Sequence, residues 1–277
     1  MTEQLADYRR YYAQLLMQTI GKPDEHALRQ AFESVPRELF LGKGPWKVAD
    51  LRGGYVDAPT NNAEFAYQDR LFALIADKDI NNGLPSLHAN NMSMLNIARG
   101  ESILHIGAGT GYYSAVLAEM TGSDGSVVAF EYEPTLATQA RQYLQQWPQT
   151  TVIQGSVFDA QLPSADVIYA NAGTPQIETA WIRQLNDHGR LLFPLTCSNG
   201  YGVMLLVLKR GDDYFASAIG RCAFIGCVGA ANSKASDNLE TLFRAGKPNK
   251  ITRLYLSKPA IQDNILLSGD GWYLCSE

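Results

Sequence analysis

The sequence predicts an α/β protein built on a largely parallel sheet, and three observations carry that prediction. Short apolar runs (ESILHIG, SVVAFE, TTVIQG, ADVIYA, GRLLFPL) alternate with amphipathic segments, and uninterrupted apolar runs are the pattern of strands buried on both faces. A glycine-rich turn, HIGAGTG, joins the first run to the segment after it. Beyond Pro194 the rhythm becomes strand-rich, and YGVMLLVLKR and YFASAIGRCAFIGCV flank Gly211-Asp212-Asp213 as a hairpin that gives the sheet an antiparallel edge.

The elements follow in order. Residues 3–20 read as a helix closed by Gly21 and Pro23; Asp24 then caps a second helix, with Ala27, Leu28, Ala31, Phe32 and Val35 along one face and its end at Val35-Pro36. Residues 42–62, rich in Gly, Pro and Asn, read as an irregular loop. Ser86 is expected to cap a helix carrying Leu87, Asn91, Met94, Leu95 and Ala98, with Gly100 just past its end. GYYSAVLAEM, PTLATQARQYLQQW and the stretch Gln176 to Leu185 read as the helices between the strands. In the tail a helix is expected around Asn238 to Ala245, with ITRLYL and GWYLCS as strands. This organisation divides the chain into an N-terminal helical and loop region (1–85), a cofactor-binding domain (86–229) and a C-terminal extension (230–277).

Composition narrows the function classes. A net charge of -5 offers no broad basic field for a phosphate backbone, so nucleic acid is not an expected partner. The apolar run Val203 to Leu208 is far too short for a bilayer, and MTEQLADYRRYY has no signal-like apolar stretch; no membrane association and a cytoplasmic location are expected. Cys197, Cys222, Cys227 and Cys275 form no C-x-x-C pair and have no His at ligand spacing, so they read as free thiols, with Cys222 and Cys227 in strands, and no metal is expected.

The chemistry centres on HIGAGTG. Gly107, Gly109 and Gly111 follow an apolar strand and precede a helix, where a compact turn brings a ligand against the unpaired N–H groups of the helix start. Glu131 ends the next strand, 20 residues after Gly111, where a carboxylate accepts hydrogen bonds from both hydroxyls of a ribose. The pair points to an adenosine-containing cofactor. A dinucleotide fold needs its third glycine one place later, and that place is Tyr112, which disfavours nicotinamide and flavin cofactors.

These residues belong to a longer collinear match. ALRQAFESVPRELF, YQDR, PSLHANNM, ILHIGAGTGYYSAVLAEM, VVAFEYEPTLATQAR and GRLLFPL together resemble the protein-L-isoaspartate O-methyltransferase family over roughly residues 27–225. The resemblance implies a Rossmann-like class I methyltransferase sheet, S-adenosylmethionine as cofactor, and attack of a substrate carboxylate on the cofactor's methyl group. It also implies that His88, Gly107, Gly109, Gly111, Tyr112, Glu131, Ser156, Val157 and Asn171 face the cofactor, and that Asn82, Gly83 and Ser86 face the acceptor; no catalytic residue is assigned.

Three positions depart from the family pattern. The family's serine of its I-S-x-P segment aligns with Gly83, the acidic residue two places before the first glycine with His105, and the aspartate near the adenine with Ser156. A serine at 156 still accepts a hydrogen bond, whereas a histidine at 105 does not replace a carboxylate's charge, so the methionine end of the cofactor must be held differently. The expected activity is therefore a carboxyl O-methyltransferase with a specialised acceptor, a modified peptide or a small-molecule acid. Isoaspartyl repair despite Gly83 and S-adenosylmethionine binding without turnover stand beside it.

Overall fold

The computed structural model describes residues 2–230, 232–260 and 262–276. The chain divides into two compact units, Met1–Glu101 with Ala108–Gly155, and Ser102–Gly107 with Ser156–Glu277.

The first unit opens with helices α1 (Thr2–Thr19) and α2 (His26–Ser34) and the short strands β1 (Lys47–Ala49), β2 (Tyr55–Asp57), β3 (Ala73–Ile75) and β4 (Ile80–Asn81). Helix α3 (Pro85–Leu95) follows; after β5 (Ser102–Ile106), which lies in the second unit, come α4 (Tyr112–Thr121), β6 (Ser126–Glu131), α5 (Pro134–Tyr143) and β7 (Thr150–Gln154). Helix α1 buries Tyr12, Ala13, Leu16 and Met17, and α2 buries Leu28, Ala31 and Phe32, each a stripe at helical spacing that needs a packing partner. Val35 is extended ahead of Pro36, as steric clash with a following proline ring requires, and α2 stops there. Strands β6 and β7 pair in parallel, Val128 against Thr151.

Four local expectations change in this unit. Asp24 does not cap α2; Glu25 holds that position without a side-chain bond. Ser86 lies inside α3 and Leu84 is the N-cap; the capping acceptor arrives from elsewhere, as Asp69 Oδ1 takes the Ser86 N–H at 2.8 Å. The helix ends at Asn96, in the left-handed region at φ 46°, well before Gly100, because asparagine tolerates that conformation and closes the last turn. Within 42–62 the loop contains the β1–β2 hairpin, Val48 paired with Val56, held by a small cluster of Trp46, Val48, Ala66 and Phe72.

The second unit contains β5, β8 (Ala165–Ala170), α6 (Thr179–Arg183), β9 (Leu185–Thr196), β10 (Tyr201–Arg210), β11 (Asp213–Ala223), α7 (Ser233–Arg244), β12 (Arg253–Tyr255), β13 (Ile265–Gly269) and β14 (Trp272–Cys275). Its strands run in the order β13-β14-β12-β11-β10-β9-β8-β5. Strands β5, β8 and β9 are parallel and every pairing from β9 outwards is antiparallel, so the change of rhythm after Pro194 is a change of strand direction. Helix α6 is shorter than expected because 174–178 is irregular, with Thr174 bridging Leu195 and its Oγ1 donating to the Gln176 carbonyl at 2.6 Å, and Leu185 already belongs to β9. Helix α7 starts at Ser233, ahead of the expected Asn238, where Asn232 Oδ1 accepts the Ala235 N–H at 3.0 Å. Cys222 lies in β11 but Cys227 lies beyond its end, and all four cysteines are free thiols. Among the described residues no helix is long and apolar enough to cross a membrane, and no group of His, Cys, Asp and Glu side chains has a metal-holding arrangement.

Candidate functional site

In the first unit the glycine loop is held from three sides. Ala108 N–H donates to the Phe130 carbonyl at 3.0 Å, Thr110 Oγ1 to the Phe40 carbonyl at 2.7 Å, and Gly109 N–H to Glu131 Oε2 at 2.6 Å. Gly109 has φ 58°, and a Cβ there would press on Leu74 Cδ1 at 3.1 Å, so this loop admits only glycine without displacement. Glu131 is 7% exposed and its other oxygen accepts the Glu133 N–H at 2.8 Å. Burial pushes its carboxyl pKa up, while the N–H groups of Glu133 and Gly109 pull the other way. A carboxylate has about four lone-pair positions, so these two bonds leave acceptor capacity for ligand hydroxyls. Tyr112, assigned to the cofactor, turns its ring into the core, with ring centroids 5.7 Å from Phe40 and 5.0 Å from Tyr113; its backbone at the first turn of α4 is what it can present.

The segment expected to face the acceptor is built beside β3 and β4. Asn82 closes a two-point bridge to Phe72, its N–H donating to the Phe72 carbonyl at 3.0 Å and its Oδ1 accepting the Phe72 N–H at 2.9 Å. Gly83 N–H donates to Asn81 Oδ1 at 2.9 Å, and its carbonyl accepts from Tyr113 OH at 3.3 Å. Gly83 has φ 75°, and any side chain there would run into the Nε2 edge of His88. His88 is itself buried and stacks on Tyr113, ring centroids 3.8 Å apart at 16°. The imidazole of His88 thus lies in the space a side chain at 83 would take. Ser86 lends its backbone N–H to Asp69 in the cap described above.

Two residues that place this segment went unassigned in the sequence, although both sit in motifs it displays. Arg37, of VPRELF, is fully buried and donates to the carbonyls of Ala66 at 2.7 Å, Gln68 at 2.6 Å and Arg70 at 2.8 Å. That clamp fixes the YQDR turn and with it Asp69, the cap of α3. No period or spacing separates such an arginine from a surface charge; only the contrast between its charge and its apolar neighbours hints at a buried clamp.

In the second unit, β5 carries His105 and ends at Ile106, just before Gly107 and beside β8. Asn171 N–H donates to the Ile106 carbonyl at 2.8 Å, and a Cβ on Gly107 would lie 3.5 Å from the Asn171 carbonyl carbon, so Asn171 flanks the entry to the glycine loop. His105 is fully buried, and desolvation drops its pKa to about 3, which keeps the ring neutral at pH 7. Its Nε2 lies 2.7 Å from Asn171 Nδ2, while Asn171 Oδ1 is buried with no hydrogen-bond partner. Ser156 Oγ accepts the Phe158 N–H at 3.2 Å and Val157 is buried, which makes this stretch a tight turn. Within the second unit the bare acceptor of Asn171 beside Gly107 suits a hydrogen-bond donor, and within the first the half-used carboxylate of Glu131 suits ligand hydroxyls.

Known proteins agree with this chemistry. A model of the protein-L-isoaspartate(D-aspartate) O-methyltransferase family matches residues 13–232. A protein-L-isoaspartate O-methyltransferase of Pyrobaculum neutrophilum is 32% identical over 211 residues, 74% of this chain and 92% of its own length. One from Methanothermobacter thermautotrophicus is 29% identical over 232 residues, 81% of this chain and 97% of its own. Among solved structures, a protein-L-isoaspartate O-methyltransferase aligns at TM-score 0.65 and 20% identity over 97% of this chain and 88% of its own. A Plasmodium falciparum protein described by the same activity, in complex with S-adenosyl-L-homocysteine, aligns at TM-score 0.63 and 13% identity over 79% and 97%. At these identities the structures establish the fold, an α/β class I methyltransferase.

Proposed function

The chain belongs to the protein-L-isoaspartate(D-aspartate) O-methyltransferase family and is an S-adenosylmethionine-dependent O-methyltransferase, and from that premise we propose that its acceptor is the carboxylate of an isoaspartyl residue in a peptide or protein. The observation that carries the reading is the extent of the family match, which runs through the acceptor segment as well as the cofactor loop. The small-molecule acid that Gly83, His105 and Ser156 together led one to expect has less support: the family match runs through all three positions, and at the first of them His88 stands where a side chain would lie.

When bound, S-adenosylmethionine supplies a methyl group on a cationic sulfonium, which an ionised carboxylate attacks without a base. The protein's own part is therefore placement and exclusion of water. We assign His88, Gly107, Gly109, Gly111, the backbone of Tyr112, Glu131, Ser156, Val157 and Asn171 to the cofactor, with Glu131 at its ribose. Asn82, Gly83 and Ser86 are assigned to the acceptor side. The carboxylate of an isoaspartyl residue is ionised at neutral pH, and the N-terminus of α3 favours its charge. A cytoplasmic location belongs to the same proposal.

Incubation with radiolabelled cofactor and a matched pair of peptides, one isoaspartyl and one aspartyl, tests it. Methyl ester on the isoaspartyl peptide alone is expected. No transfer by a protein that binds the cofactor overturns the acceptor and leaves family and cofactor standing.

A further inference from the structure

The cofactor's amino-acid end carries an ammonium group, and the position where the family has an acid, His105, is a buried neutral imidazole. A cation in a low-dielectric site needs an acceptor near it. The second unit holds one. Asn171 Oδ1 is buried without a hydrogen-bond partner on a side chain whose other atom, Nδ2, lies 2.7 Å from His105 Nε2. Its backbone is tied by N–H donation to the Ile106 carbonyl at 2.8 Å, one residue before the glycine loop begins. An unpaired buried acceptor is costly, and in a native protein each such atom calls for a cause.

We propose that His105 and Asn171 act as one unit, in which the imidazole orients the carboxamide and Asn171 Oδ1 accepts a hydrogen bond from the ammonium of the cofactor's methionine moiety. The geometry requires the His105 tautomer protonated on Nδ1, so that Nε2 accepts from Nδ2 and the carbonyl oxygen is the free end. Burial favours the neutral ring that this division of roles needs. Asn171 as a whole is only partly buried, and its terminal torsion is soft, so a small rotation presents Oδ1 to a donor. The inference rests on S-adenosylmethionine as cofactor and not on the isoaspartyl acceptor.

Calorimetric titration with two ligands isolates the contact: S-adenosylhomocysteine, which has the amino-acid end, and 5′-methylthioadenosine, which lacks it. For Asn171→Ala the affinity for S-adenosylhomocysteine is expected to fall roughly tenfold or more, the scale of a lost hydrogen bond to a charged group, with 5′-methylthioadenosine unchanged. Asn171→Asp, which restores an anionic acceptor, is expected to recover S-adenosylhomocysteine binding. Equal losses for both ligands in Asn171→Ala, or no loss for either, overturn the proposal. If Asn171→Ala does not fold, the Asn171→Asp and His105→Gln variants decide between the same outcomes, His105→Gln being expected to weaken S-adenosylhomocysteine selectively and equal effects on both ligands again refuting the contact. Failure of the unaltered protein to bind either ligand refutes the cofactor assignment itself and the proposal with it, whereas a failed isoaspartyl assay leaves these titrations unaffected.

Discussion

At the scale of single residues the segment ahead of α3 turns on a pair. Gly83 is in the left-handed region at φ 75°, and a side chain there meets His88 Nε2. Gly83→Ser, the change that writes the family residue back, is therefore expected to harm the protein: positive φ costs a non-glycine residue about 1–2 kcal/mol and overpacking a further 1–3 kcal/mol or so. Urea unfolding should show the loss, methyl transfer should fall with it, and Gly83→Ser combined with His88→Ala should recover part of the stability; an unharmed single variant contradicts the clash. His105 makes a prediction in pH. Its folded pKa of about 3 lies below the ordinary 6.5 because of burial, so between these values the unfolded chain binds a proton that the native state refuses. Stability from this group is complete above pH 6.5 and declines as pH falls through the window, by about 1.4 kcal/mol per pH unit. Urea unfolding of the unaltered protein and of His105→Gln at pH 7, 6 and 5 should diverge slowly between pH 7 and 6 and close to that slope between pH 6 and 5, and parallel curves would show that His105 does not titrate differently on folding.

Among elements, helices and strands whose periodicity repeats were legible, and those set by a distant side chain were not. The apolar runs that became β5, β6, β7, β8 and β9 needed only local pattern, and the loop glycines only their place between strand and helix. The start of α3 was misplaced because its capping acceptor is Asp69, seventeen positions before Ser86, and proximity of that kind leaves no local trace. Asp69 in turn is held by the carbonyls that Arg37 clamps on either side of it, at Gln68 and Arg70. Loss of a helix cap costs about 0.5–2 kcal/mol, so Asp69→Ala should lower the unfolding free energy by that amount, and Asp69→Asn, which keeps an acceptor oxygen, by clearly less. Equal losses for the two variants would mean that charge elsewhere, not the Ser86 N–H, is what Asp69 serves.

For the whole molecule, the cofactor loop was readable because its chemistry is written in consecutive residues, whereas the Gly83–His88 contact and the His105–Asn171 pair depend on proximity across 5 and 66 positions. The C-terminal extension was the least legible part, since β13 was not foreseen and the family match ends at residue 232. Its structure nonetheless argues that it is integral to the second unit. Strand β12 pairs with β11 through Tyr214 and Leu254, Arg253 lies 4.0 Å over the ring of Phe215, Ser236 Oγ accepts the Ser198 N–H at 2.9 Å, and Leu239, Leu254, Trp272 and Leu274 are buried. A tail bound this way unfolds with the sheet it extends, and truncating a buried tryptophan should cost about 3–5 kcal/mol. Trp272→Ala is accordingly expected to shift the single urea transition of the second unit to lower denaturant while preserving its slope, since the same surface is exposed on unfolding. A separate early transition, with the main one unmoved, would instead identify the extension as a module that folds by itself and leaves the methyltransferase sheet intact without it.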